Sequence, residues 1–128
     1  MSSSTPERPT TKQWGNQGED RAASLLVSRG LVVLDRNWRH GRGELDLVCR
    51  DPDGTLVFVE VKSSRGHWAG DPGEWITPTK QRQVAKLALA WLVRHQATNA
   101  NVRFDAVLVR SGEIEHVVDA FRPGLTGF

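Results

Sequence analysis

The chain predicts a single mixed α/β domain, a central β-sheet flanked by helices in the order α-β-β-β-α-β-β. Three observations carry that expectation. The stretches Glu44 to Arg50 and Thr55 to Lys62 read as strands and are divided by the turn sequence Asp51-Pro52-Asp53-Gly54. Two other stretches repeat apolar residues at helical spacing and carry helix boundary signals. A last pair of β-rich runs meets over Ser111-Gly112. At 128 residues the chain suits one core of real size and not two.

Residues 1–11 are rich in Ser, Thr and Pro, bury nothing and are expected to form a disordered tail, leaving 12–128 as the domain. A helix is expected from Lys12 to Ser28, closed by Gly30 as its C-terminal cap. Ala22, Ala23 and Leu26 define one helical face, and Gly15 and Glu19 fall inside that arc, so an acid sits on the buried side. Leu31 to Leu34 reads as a strand, followed by a basic turn from Arg36 to Gly43. In the next two strands, alternation places Glu44 and Asp46 on one face with Leu45, Leu47 and Cys49 opposite. It likewise places Glu60 and Lys62 together, away from Val57, Val59 and Val61. Paired as a hairpin, the two strands bring three carboxylates and a lysine into one patch, expected on the sheet face beneath the first helix with Glu19 pointing into it.

Ser63 to Trp75 shows no periodicity and reads as a mobile loop. Thr77-Pro78 is an N-cap followed by proline at the first helical position, opening a helix to about His95. Val84, Leu87, Ala88, Trp91 and Leu92 form its apolar stripe, Lys80 and Gln81 flank that stripe, and Arg82 and Lys86 point outward. Val102 to Arg110 and Glu113 to Val118 close the domain as a hairpin.

Composition limits the function classes. The lone Cys49 excludes an intrachain disulfide and a cysteine-based zinc cage, and no stretch reaches membrane-spanning length, so a cytosolic protein without a membrane partner is expected. A net charge of +2 favours a polyanionic partner only weakly, but the distribution says more. Between Trp75 and Ser111 six basic residues (Lys80, Arg82, Lys86, Arg94, Arg103, Arg110) face one acid, Asp105.

Paired carboxylates beside a lysine are the inventory of a metal-dependent site for phosphodiester cleavage. Asp46 and Glu60 fit the hard oxygen ligands that magnesium or manganese takes, and Lys62 orients water or offsets charge at phosphorus. Glu19 fits a ligand to a second ion or one that holds the first from the helix side, against the alternative of a helix acid that reaches solvent past Gly15. The competing reading is a cross-strand ion pair of Asp46, Glu60 and Lys62 with no chemistry. Glu44 fits an outer ligand or an acid that orients the basic turn, and both readings stand. Arg36, Arg39 and Arg42 suit phosphate contacts while Trp38 packs. Lys80, Gln81 and Arg82 at a helix start suit phosphate as well, against the alternative of stems lying along the apolar stripe. His95 is expected to be structural and Trp91 to be core.

Six motifs in order, Gly15-x-x-Gly18-Glu19, Asn37-Trp38-Arg39, Gly43-Glu44-x-Asp46, Phe58-Val59-Glu60-Val61-Lys62, Thr77-x-x-Lys80 and Arg103-Phe104-Asp105, resemble the small bacterial YraN family. That family is assigned to the PD-(D/E)XK, restriction-endonuclease-like nuclease superfamily, similar to archaeal Holliday-junction resolvases, and the match runs from about Gly15 to Phe121. The resemblance implies a divalent metal, usually magnesium, and cleavage of nucleic-acid phosphodiesters. It makes Glu19 the helix-borne acid, Asp46 the central aspartate, and Glu60 and Lys62 the E-x-K pair, with the Val61 carbonyl as a further ligand. The chain departs from the family at Ser63-Ser64-Arg65, where Thr-Arg is usual. DNA, branched or single-stranded, is the partner so implied, and a resolvase-like role implies a homodimer. The alternative of another class is a nucleic-acid-binding module of the same fold without catalysis of its own.

Overall fold

The computed structural model describes residues 11–64, 75–110 and 112–123. Seven elements follow in the expected order: α1 Thr11–Ser28, β1 Val32–His40, β2 Gly43–Arg50, β3 Leu56–Ser64, α2 Pro78–Arg94, β4 Val102–Arg110 and β5 Glu113–Val117. The five strands form one sheet in sequence order, antiparallel throughout except for the parallel pair β3 and β4. Parallel neighbours need a crossover, and α2 supplies it. The expected tail and the loop between β3 and α2 fall mostly outside the described residues, although α1 already begins at Thr11. No helix among the described residues is long and apolar enough to cross a membrane.

Each sheet face carries its own core. Under α1, Ala22 and Leu26 pack on Leu47, Cys49, Val57, Val59, Val107 and Val109. Under α2, Val84, Ala85, Leu87, Ala88, Trp91 and Leu92 pack on Val48, Leu56, Phe58, Phe104 and Ala106. The period-two alternation of β3 and β4 divides their side chains between these cores, and the 3.6-residue period of α2 aligns its stripe with one of them. Thr77 caps α2 by accepting the Lys80 amide at 3.1 Å, with Pro78 following as expected. On β4, opposite Val59, buried Asp105 accepts from both Arg103 and His116, and Arg103 also reaches Asp51 of the β2–β3 turn.

Two expectations fail here for related reasons. The basic stretch Arg36 to Gly43 is not a long turn, because β1 continues to His40 and only the tip at Gly41 and Arg42 reverses the chain. A register shift between Val33 and Asp35 and a positive φ of 51° at Asn37 let the strand keep pairing with β2. Secondly, Leu45 does not share a face with Leu47 and Cys49, since it joins the α2-side core while they join the α1-side core. β2 pairs β3 only through Leu47–Val59 to Arg50–Leu56, and β2 changes face just beyond the last of those pairs. Asp46 occupies that changeover.

Candidate functional site

The parting of β2 from β3 at Asp46 would leave the Val61 amide without a ladder partner. The Asp46 carboxylate takes its place, Oδ2 accepting from Val61 N at 2.9 Å. That bond fixes Asp46 in the sheet gap beside Glu60. Glu19 arrives from α1, which lies close over the end of β3 because Gly18 has no side chain: a Cβ there would stand 2.7 Å from Ser63 Oγ. Carboxylate oxygens of Glu19, Glu44 and Asp46 lie within 4.8 Å of one another. The Asn37 amide nitrogen donates to Glu19 at 2.7 Å and to Glu44 at 2.8 Å, joining the helix acid to the strand acid.

Glu60 approaches Asp46 from the α2 side of the sheet. It is only 3% exposed. The expectation that the whole cluster lies beneath α1 is corrected here, because Glu60 follows Leu56 and Phe58 onto the α2 side and pairs with Lys80 of α2 at 3.3 Å. Its Oε1 carries that pair, while Oε2 is buried with no hydrogen-bond partner among the described residues. Burial above all, and then the neighbouring Asp46 carboxylate, hold the Glu60 carboxyl well above the usual range, and Lys80 opposes them. Burial also raises Glu19, the Asn37 hydrogen bond opposes this, and the charges of Asp46 and Glu44 add to it. Three carboxylates are thus held together, with Glu60 against one of them, Asp46, at an electrostatic cost that a cation would relieve.

Lys62 lies on β3 two residues beyond Glu60, half-buried, and pairs with none of the carboxylates among the described residues. The cross-strand ion pair weighed as the bland alternative is therefore not formed by Lys62, and Lys80 takes that position. Of the other basic residues, Arg36 pairs with Asp20 and Arg39 with Glu44, while Arg42 and Arg82 are exposed. Gln81 donates its side-chain amide to Ile76 O at 2.9 Å. Trp38 packs against the α2-side core and stacks on His40, His95 stacks on Trp91, and Trp91 is core, each as expected. Cys49 is buried and its thiol is pushed up to about 12, mainly by that burial, which leaves it inert at neutral pH.

The sequence motif Asn37-Trp38-Arg39 includes Asn37, but sequence reasoning gave it no role beside Trp38 and Arg39. One local signal existed, because asparagine is the non-glycine residue that best tolerates positive φ. Nothing local ties it to Glu19 eighteen residues earlier. The Glu60–Lys80 pair was missed for the same reason, since it spans two elements.

The donor set fits a divalent cation. All its ligating atoms are carboxylate oxygens, as hard cations require, and the orphaned Glu60 Oε2 is the kind of buried acceptor a cation would satisfy.

Comparison with known proteins places the chain. Residues 18–109 match the family described as "Uncharacterised protein family UPF0102". A UPF0102 protein of Pelobacter propionicus is 44% identical over 126 residues, covering 94% of this chain and 90% of its own length. One from Rhodococcus opacus is 46% identical over 112 residues, covering 84% and 94%. Among solved structures, the chain is similar to EndoMS in a complex titled EndoMS-dsDNA2, with TM-score 0.41, 21% identity and 86% of this chain covered. It is also similar to SfsA of Pyrococcus furiosus in complex with Ca2+, with TM-score 0.35, 20% identity and 84% covered. The chain spans 41% of the first of these and 63% of the second. Identity above 40% across nearly the whole length of such relatives, together with the family match, makes this chain a member of the UPF0102 family, the YraN family that its motifs resemble.

Proposed function

We propose that this protein is a divalent-metal-dependent nuclease that hydrolyses phosphodiester bonds in nucleic acid, DNA by preference, in the cytosol. The observation that carries the reading is the buried Glu60 Oε2, without a hydrogen-bond partner among the described residues, set against Asp46, which lies in a cluster with Glu19 and Glu44. An ordinary surface acid patch would turn its carboxylates to water. These are held inward by Val61 N, Asn37 and the close approach of α1.

Asp46, Glu60 and Glu19 are the residues that would hold magnesium or manganese. When bound, such an ion supplies charge shielding for the phosphate and a water of lowered pKa. Lys62, with its ammonium outside every described ion pair, orients that water or offsets charge at phosphorus. Lys80 lies 3.3 Å from Glu60 Oε1 and stands where its ammonium can turn to a phosphate oxygen. Arg42 at the β1–β2 tip and Arg82 and Lys86 on the outer face of α2 are exposed cations suited to backbone phosphates along the substrate.

The test is a cleavage assay with labelled linear, single-stranded, forked and four-way DNA, with and without magnesium or manganese, on wild type and Lys62→Ala. Wild type should cut at least one substrate only with metal. Lys62→Ala should keep metal binding and DNA affinity but lose cleavage by orders of magnitude, because it removes a charge beside the scissile phosphate and leaves the carboxylates. Wild type that binds DNA but cuts nothing, and behaves as Lys62→Ala does throughout, makes the chain a binding module instead.

A further inference from the structure

Not every acid of the cluster is equally available to a cation. Glu44 has both oxygens engaged: Oε1 accepts from the Asn37 amide at 2.8 Å, and Oε2 lies 3.2 Å from Arg39 Nε. A guanidinium beside one oxygen and an amide proton on the other leave it poorly placed to receive a second cation. Among the described residues, Glu19 is engaged only through Oε2, by the same Asn37 amide, and Asp46 has its Oδ2 bonded to Val61 N. Glu60 adds the buried, unpartnered Oε2, an atom that points to a ligand independently of the acidic cluster.

Asn37 itself stands in an unusual backbone state. Its φ of 51° lies in the left-handed region, within a strand that otherwise pairs regularly from Asp35 to His40. Asparagine tolerates this conformation better than most residues, and here it carries the amide to a point between a helix carboxylate and a strand carboxylate. The two protons of one amide nitrogen then fix the separation of two acids that would otherwise repel.

From this geometry we infer that Asn37 and Glu44 are positioning residues, a brace anchored by Arg39 that presents the remaining oxygen of Glu19 to the cation, and that Glu44 is not itself a ligand. The inference rests on the metal-site reading given above and assigns the roles within it. Outer partners of metal-binding groups commonly govern affinity by about 10–100-fold when removed.

The experiment is calorimetric titration of the full chain with Mn2+ at neutral pH, with thermal melts of each metal-free variant alongside. Asn37→Gly accommodates the positive φ and removes only the bridging amide. It should lower Mn2+ affinity by about 10–100-fold while the metal-free melt stays within a few degrees of wild type. Glu44→Gln keeps an acceptor for Asn37 and should lose less than about tenfold. Asp46→Asn, which alters a ligand, should lose more than either. An Asn37→Gly protein that binds Mn2+ as wild type does overturns the brace, and so does a Glu44→Gln defect as large as that of Asp46→Asn. Wild type that binds no Mn2+ removes the metal-site reading itself, an outcome distinct from both.

Discussion

Glu60→Gln should stabilise the metal-free protein at mildly alkaline pH and abolish most of its response to cation. Glu60 is 3% exposed, faces Asp46 and has an unpartnered oxygen. Leaving one buried polar group unsatisfied costs about 1–3 kcal/mol. The amide of glutamine removes the charge and can donate to Asp46. Against this stands loss of the Lys80 pair, whose ammonium end is 35% exposed, so that solvent screening limits its contribution to at most about 1 kcal/mol. The net gain is about 1–2 kcal/mol, which in a domain of this size raises the melting midpoint by roughly 3–10 °C. The effect depends on pH with a definite sign. The folded-state Glu60 carboxyl is raised above the ordinary value of 4.5, mainly by burial. In acid below that value, Glu60 is neutral in both states and the variants should melt alike. As pH climbs past it, the unfolded chain ionises while the folded chain keeps its proton, so wild-type stability falls until the folded carboxyl ionises too. The advantage of Glu60→Gln should open across that window and then level off. With Mn2+ at a hundred times its dissociation constant, wild type should recover about 2.7 kcal/mol and Glu60→Gln far less. Thermal melts across pH with and without Mn2+ measure all of this. A variant less stable than wild type in mild alkali, or a difference that does not change with pH, would refute the reasoning.

Asp105→Asn should destabilise by about 3–5 kcal/mol, since it breaks a buried charged network and leaves Arg103 short of a partner; chemical denaturation measures it. Burial pushes the Asp105 carboxyl up, but bonds from His116, Arg103 and the Asp119 amide outweigh that and hold it below its ordinary 3.8. Its contribution is therefore complete above that value and is lost as pH falls through the lower folded value, so the variant should lose this part of the acid-side slope. DNA affinity should fall with salt at a log–log slope of about −0.9 per duplex phosphate contact, and replacing both Arg82 and Lys86 by Ala should flatten the slope by about two contacts' worth. Binding that ignores salt would remove the phosphate-contact reading of α2.

What was legible in the sequence was whatever depends on periodicity and local chemistry. Thr77-Pro78 opens α2 because a hydroxyl cap and a preset φ act within one turn. The turn at Asp51 to Gly54 sets the β2–β3 hairpin, where Gly54 adopts a φ of 91° and the Asp53 carboxylate accepts the Thr55 amide at 2.9 Å. The helical phase of Glu19 and the motif spacing of Asp46 and Glu60 marked the acids that the fold gathers.

Only the tertiary structure decided how those acids are held. Strand parity predicts faces correctly while a strand stays paired, and so it served for β3 but misplaced Leu45, just beyond the point where β2 and β3 part. The basic stretch from Arg36 read as a turn because its composition is polar, yet pairing with β2 overrides that preference and turns Arg36 and Arg39 toward Asp20 and Glu44. Asn37 between Glu19 and Glu44, and Lys80 against Glu60, join residues distant in sequence. No local pattern encodes such contacts, because they depend on how closely α1 and α2 settle on the two faces of the sheet.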